Sequence, residues 1–159
     1  AVLNDGKYGH SIEGNEIEIS LLRSTSSPDE SADLGEHRID YALYPHAGAC
    51  AQAQVQRQGH DCNTPLLTLA GDARLDTGLS VDGDALILDT LKPAWDGDGY
   101  ILRAYEANGT RGAAAIRLPK GASICRCDLM ERDQTPAAPA DSIDVRYSPY
   151  EIITHRLRL

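Results

Sequence analysis

Phenylalanine is absent from this chain of 159 residues, and tryptophan and methionine occur once each. With aromatic residues at 5% of the composition, a core must be filled by Leu, Ile, Val and Ala, and a broad aromatic platform is excluded. Positive charge is also scarce, since 15 Lys and Arg stand against 24 Asp and Glu for a formal charge of -9 at pH 7. A surface of that sign repels polyanions at moderate salt, which argues against nucleic acid and anionic membranes as partners. No stretch approaches the roughly 20 apolar residues of a membrane span. Residues 1–10 carry neither a basic leader nor an apolar run, so an intracellular, cytoplasmic chain is expected.

The residues of metal and nucleophile chemistry are present but badly spaced for it. Cys125 and Cys127 flank one residue and share a face if that segment is a strand, yet zinc knuckles need a wider gap and a second ligand pair. Together with Cys50 and Cys62 they are expected to be reduced structural thiols, because a chain of this length needs no disulfide staples. The histidines, His10, His37, His46, His60 and His155, never fall in HxH or HxxxH spacing, so no protein metal site is expected. There is no G-x-S-x-G elbow, and Gly9-His10-Ser11 lacks the strand-to-helix setting that such a turn requires. Carboxylates are plentiful, but sequence does not show which of them face each other across a cleft.

What is there is period-two alternation. Residues 15–24 set Ile17, Ile19 and Leu21 against Glu16, Glu18 and Ser20, which predicts a strand with one apolar face. Residues 37–45 repeat the pattern with Ile39, Tyr41 and Leu43, after a long Ser, Pro and Asp loop over residues 24–36. The Ala and Gln run near Ala49 to Gln58 predicts one short helix, with Gly59 as its stop. Further strands are expected at 64–70, 85–92, 99–106, 112–118, 123–130 and 150–158, separated by Gly-rich and Asp-rich turns. Residues 134–140 read as a loop before a strand. Short strands at such spacing predict an all-β antiparallel sandwich. Residues 1–70 look like the end of a larger sheet and residues 71–159 like a small sandwich of their own.

The run Asp96-Gly97-Asp98-Gly99 resembles the opening of a calcium loop, but Ala107 stands where the bidentate acid belongs. A hairpin turn is the better reading, since Asp and Gly supply the geometry that the flanking strands require.

Five segments, taken in order, carry a more specific signal: VLNDGKYG with GNEIEISLLRS, PDESADLGEHRIDYALYPHAG, LKPAWDGDGYILRAYEANG, ICRCDLMERD and SPYEIITHRLRL. Together they resemble the C-terminal β region of the α-mannosidases of glycoside hydrolase family 38, in the form of its cytosolic, vacuolar and bacterial branch. The resemblance covers nearly the whole chain. It implies a longer polypeptide in which a catalytic barrel and a helical bundle precede Ala1. The nucleophile and a zinc site would lie in that barrel, so no catalytic residue, metal ligand or cofactor is expected in this chain. It also implies, as partners, that barrel, the helical domain and a mannose-containing oligosaccharide, and it leaves a homo-oligomer open.

One substrate contact is implied from this side. In relatives an Arg at a sandwich strand end, before an acid-rich loop, reaches toward the sugar, and the matching position is Arg23. The alternative is an Arg that pairs with Asp29 or Asp33 in its own loop. Asn4, Asp5, Lys7 and Tyr8 form a second candidate edge of the cleft, or else a turn that needs Gly6 and Gly9. His46 is read as a hydrogen-bonded strand-end residue or a substrate contact. The expected function is a non-catalytic β portion of a retaining α-mannosidase. The alternatives are an independent carbohydrate-binding module, with Trp95 as a lone platform, and a purely structural packing domain.

Overall fold

The N-terminal alternation is realised only in part. The computed structural model describes residues 1–72 and 78–159 and divides into two units, Ala1–Thr68 and Leu69–Leu159. In the first, β1 (Val2–Asn4) pairs antiparallel with a later strand β4 (Tyr41–Leu43), with Val2 opposite Leu43. Between them β2 (His10–Glu13) and β3 (Glu16–Ile19) form a hairpin. No residue of this unit is buried, and Ile12 and Ile17, opposite each other in the hairpin, both stay exposed. The apolar face of the hairpin is therefore largely uncovered, with only Ile19 half-buried. Without that packing the ladders are short, which is why the strands expected at 15–24 and 37–45 shrink to three or four residues.

Two expectations in this unit need correction. The helix α1 spans Val55–Asn63, later than expected, and runs through Gly59. Gln54 adopts left-handed geometry at φ 51°, which ends the preceding turns and delays the start. A glycine inside a helix costs only about 1 kcal/mol relative to Ala. Asn63 then closes the helix, its Nδ2 donating to Gly59 O at 3.1 Å and to Asn4 O at 2.9 Å. Residues 64–70 are not a strand, for Leu66, Leu67 and Leu69 have no partner strand and stand almost fully exposed.

The second unit is a sandwich. β5 (Ser80–Val81), β6 (Leu86–Pro93), β7 (Tyr100–Glu106), β8 (Gly112–Arg117), β9 (Ser123–Cys127), β10 (Ala138–Pro139), β11 (Ser142–Tyr147) and β12 (Ile152–Arg158) make two antiparallel sheets. Their orders are β10-β9-β12-β7-β6 and β11-β8-β5. Leu86, Leu102, Ile124, Ile153 and Leu157 from the larger sheet meet Ile116 and Val145 from the smaller one, and this is the core. The missing phenylalanines are replaced by branched aliphatic residues, as the composition requires. β11, unassigned from sequence, alternates Ile143, Val145 and Tyr147 beside β8. Pro139 is tolerated because β10 is an edge strand.

β12 departs from simple alternation. On its outer face Thr154 and Arg156 are as buried as the core residues on the other side. Residues 128–133 lie over that face, where Leu129 O accepts from Arg103 Nη2 at 2.9 Å and Glu131 O from Arg156 Nη2 at 2.7 Å.

Candidate functional site

In the first unit β1 ends in a turn whose geometry comes from Asn4. Its Oδ1 accepts the backbone N–H of Gly6 at 3.0 Å and that of Lys7, while Gly6 sits at φ 109°, where a side chain would be strained. Gly9 then passes so close to Ser20 that a Cβ would come within 2.8 Å of the serine Cβ, and its carbonyl accepts Ser20 N–H at 2.8 Å. The turn reading of residues 4–9 is thus formed. It also brings the turn alongside residues 20–23, the exit from β3.

Lys7, Tyr8 and Arg23 line one cleft of about 310 Å³, with Leu21, Leu22 and Asp33 among its walls. Tyr8 is almost fully exposed. Asp5 lies outside this lining, where its Oδ2 accepts Asp40 N–H at 3.3 Å. The two acids that were alternatives for Arg23 are engaged elsewhere: Asp33 Oδ2 accepts Ser24 N–H at 2.9 Å, and Asp29 Oδ1 accepts Ser31 Oγ–H at 2.7 Å. Among the described residues neither Arg23 nor Lys7 has an ion-pair partner. The cleft therefore presents two unengaged cations and a phenol to solvent. His46 is half-buried beside Tyr44, with ring centroids 5.6 Å apart, and does not line it.

The second unit holds an ionic network that sequence reading missed. Arg156, 3% exposed, donates from Nε to Asp133 Oδ1 at 2.8 Å, from Nη1 to Asp96 Oδ1 at 2.7 Å and to Asp98 O at 2.8 Å. Arg158 donates to Asp98 Oδ2 at 2.7 Å and to Asp133 Oδ2 at 2.9 Å. The hydrogen bonds from Arg156 hold the Asp96 carboxyl at about 2, and those from Arg158 lower Asp98 and Asp133. The signal was available, because Arg156 and Arg158 stand two apart on a strand and so share a face. Asp96-Gly97-Asp98-Gly99 is the β6–β7 turn, with Gly97 at φ 78° and Gly99 at φ 83°, not an ion-binding loop opening. At Gly99 a Cβ would collide with the Leu157 carbonyl.

Among the described residues no group of three or more His, Cys, Asp or Glu side chains can hold a metal ion, so zinc does not fit the residues present. All four cysteines are free, and burial pushes the Cys127 thiol up to about 11, which keeps it protonated and inert. Among the described residues no helix is long and apolar enough to cross a membrane.

These features define an antiparallel β-sandwich in the second unit and a surface cleft in the first. Residues 85–155 match the glycosyl hydrolases family 38 C-terminal beta sandwich domain, and residues 1–31 match the glycosyl hydrolases family 38 C-terminal domain. The chain belongs to the C-terminal β region of glycoside hydrolase family 38. It is 36% identical to alpha-mannosidase G of Dictyostelium discoideum over 98% of its length and 16% of that protein. Human alpha-mannosidase 2C1 is 35% identical over 97% of this chain and 16% of its own length. The alpha-mannosidase of Saccharomyces cerevisiae is 30% identical over 99% and 17%. The chain thus spans about 16% of the length of the first of these relatives.

Proposed function

We propose that this chain is the non-catalytic β region of a zinc-dependent retaining α-mannosidase that removes α-linked mannose from glycans. In this reading residues 1–70 end a large sandwich, residues 71–159 form a small one, and together they buttress a catalytic barrel elsewhere in a longer cytoplasmic polypeptide. Arg23 contacts the sugar or a barrel carboxylate, Lys7 and Tyr8 border the same cleft, and Asp5, outside its lining, contributes from the Asn4 turn. The observation that carries it is the unpartnered Arg23 in a cleft with Lys7 and Tyr8, in a chain similar to alpha-mannosidases over nearly its whole length. A guanidinium with no internal carboxylate keeps its fork of donors for an incoming acceptor. No step in this reading runs through zinc, since no cluster among the described residues would hold it.

The test is Arg23→Ala in the longer polypeptide. Loss of a charge-assisted hydrogen bond to the reacting sugar lowers kcat/KM on an aryl α-mannoside by about 1.5–3 kcal/mol, or at least tenfold. Thermal stability shifts by no more than about 0.5 kcal/mol, because the side chain is exposed and lies beyond the end of β3. Unchanged kinetics would remove Arg23 from the site. The 159-residue chain by itself turns over no aryl mannoside in this reading, and chelator-resistant turnover by it would overturn the assignment.

A further inference from the structure

Trp95 is the one tryptophan of the chain, and it stands 93% exposed at the β6–β7 turn. An indole held this exposed at the edge of a cleft offers its flat apolar face, and its N–H, to a ligand. Its backbone is not loose. Trp95 N–H donates to Glu131 Oε2 at 2.8 Å, and the same carboxylate is paired with Lys92, so the turn is tied to residues 128–133. Asp96 and Asp98, next in sequence, are fixed to β12 by Arg156 and Arg158. A rigid network therefore presents the indole.

Beside it lies a cleft of about 370 Å³, within the roughly 300–1,000 Å³ of small-ligand sites. Met130, 71% exposed, adds an apolar wall, and the indole makes no ring contact among the described residues. The polar walls are mixed. Asp96 engages Arg156 and Asp98 N–H through Oδ1, leaving Oδ2 to accept neither, and the Arg132 guanidinium makes no hydrogen bond or ion pair among the described residues. Four carboxylates line the cleft, Asp96, Asp98, Glu131 and Asp133, against the guanidiniums of Arg132, Arg156 and Arg158, and Lys92 pairs with Glu131, so the cleft has no strong field of one sign. A free anion or cation gains little there. A neutral ligand with one apolar face and several hydroxyls fits all the walls at once: C–H groups on the indole, hydroxyls on Asp96 and Arg132.

We propose that this cleft is a saccharide-binding site, separate from the Arg23 cleft and independent of hydrolysis, in which a sugar ring stacks on Trp95. Only the choice of a mannoside as probe rests on the function proposed above. Since Trp95 is the sole tryptophan, its emission in the 159-residue chain reports the site directly. Titration with α-1,2-mannobiose is expected to give a saturable change with half-saturation of about 1 mM. The double variant Asp96→Asn, Arg132→Ala, which keeps the indole as reporter, is expected to need at least tenfold more sugar while its circular dichroism is unchanged. A saturable response to cellobiose but not to mannobiose upholds a saccharide site and separates it from the mannosidase reading, which is tested by turnover in the longer polypeptide. No saturable change with either disaccharide overturns the proposal. So does an equal change with sorbitol, or a shift that grows with protein concentration in the absence of sugar.

Discussion

Glu106 is 1% exposed and nonetheless ionised. Burial works to raise its pKa, but Oε1 accepts the N–H groups of Asn108 and Thr110 and the Thr110 hydroxyl, and Oε2 accepts those of Gly109 and Tyr150. Together they hold it at about 2. One carboxylate thus fixes the Asn108-Gly109 turn after β7 and the entry to β12. Glu106→Gln, which loses one acceptor oxygen, is expected to destabilise the second unit by about 1.5–3 kcal/mol in urea unfolding. In the wild type the Glu106 contribution is complete above pH 4.5 and is lost as pH falls toward 2, because the unfolded carboxylate takes its proton first. His155 acts earlier in an acid titration. Burial, and then the field of Arg126, depress its pKa from 6.5 to about 4. The unfolded imidazole protonates while the folded one stays neutral, so stability falls as pH drops from 6.5 to 4. His155→Gln is expected to flatten the stability curve in that window, and an unchanged slope would show that His155 titrates alike in the folded and unfolded states. Neither residue was legible beforehand: a lone Glu or His in a strand carries no mark of what its carboxylate or ring will meet.

At the scale of elements, β12 is the strand on which the second unit turns. It pairs with β7 on one side and β9 on the other, and its inner residues Ile153 and Leu157 enter the core. Its outer face carries two arginines in different settings, one almost fully buried and one partly exposed. Arg156 is buried while its partners Asp96 and Asp133 stay partly exposed, so Arg156→Met mainly strips the Asp98 and Glu131 carbonyls and two carboxylates of their donor and is expected to cost about 1.5–3 kcal/mol. Arg158→Ala, with more solvent around it, is expected to cost no more than about 1 kcal/mol. Equal losses in denaturant titrations of the two variants would contradict this ordering. The alternation of β7 and β12 was readable, and so was the shared face of Arg156 and Arg158. That Asp96, Asp98 and Asp133 would be the acids to meet them was not, because 60 positions separate Arg156 from Asp96.

Over the whole molecule the packing is uneven. Every buried residue belongs to the second unit, while the first has strands, a helix and no core. Hydrogen exchange is therefore expected to be slow in β6, β7, β9 and β12, whose amides are released only by global opening. It is expected to be fast throughout residues 1–68, where opening exposes little new surface. Comparable protection in both units would mean that the apolar face of β2 and β3 is covered in solution.

The sequence by itself determined the class of fold, since period-two alternation with Gly and Asp turns admits little else, and five ordered segments sufficed to identify the family. It also determined the composition of the core, because without phenylalanine Leu, Ile, Val and Ala had to fill most of it. Tertiary structure decided the rest. It set strand lengths, since a ladder persists only where its apolar face is packed, and so shortened the strands of the first unit and removed the one expected at 64–70. It decided that Lys7, Tyr8 and Arg23 share a cleft and Asp5 does not, because the Asn4 turn and the Gly9–Ser20 approach fold residues 4–9 against residues 20–23. And it decided that Arg156 would be buried: a charged side chain leaves water only where several acceptors converge on it, and those acceptors come from segments far apart in the chain.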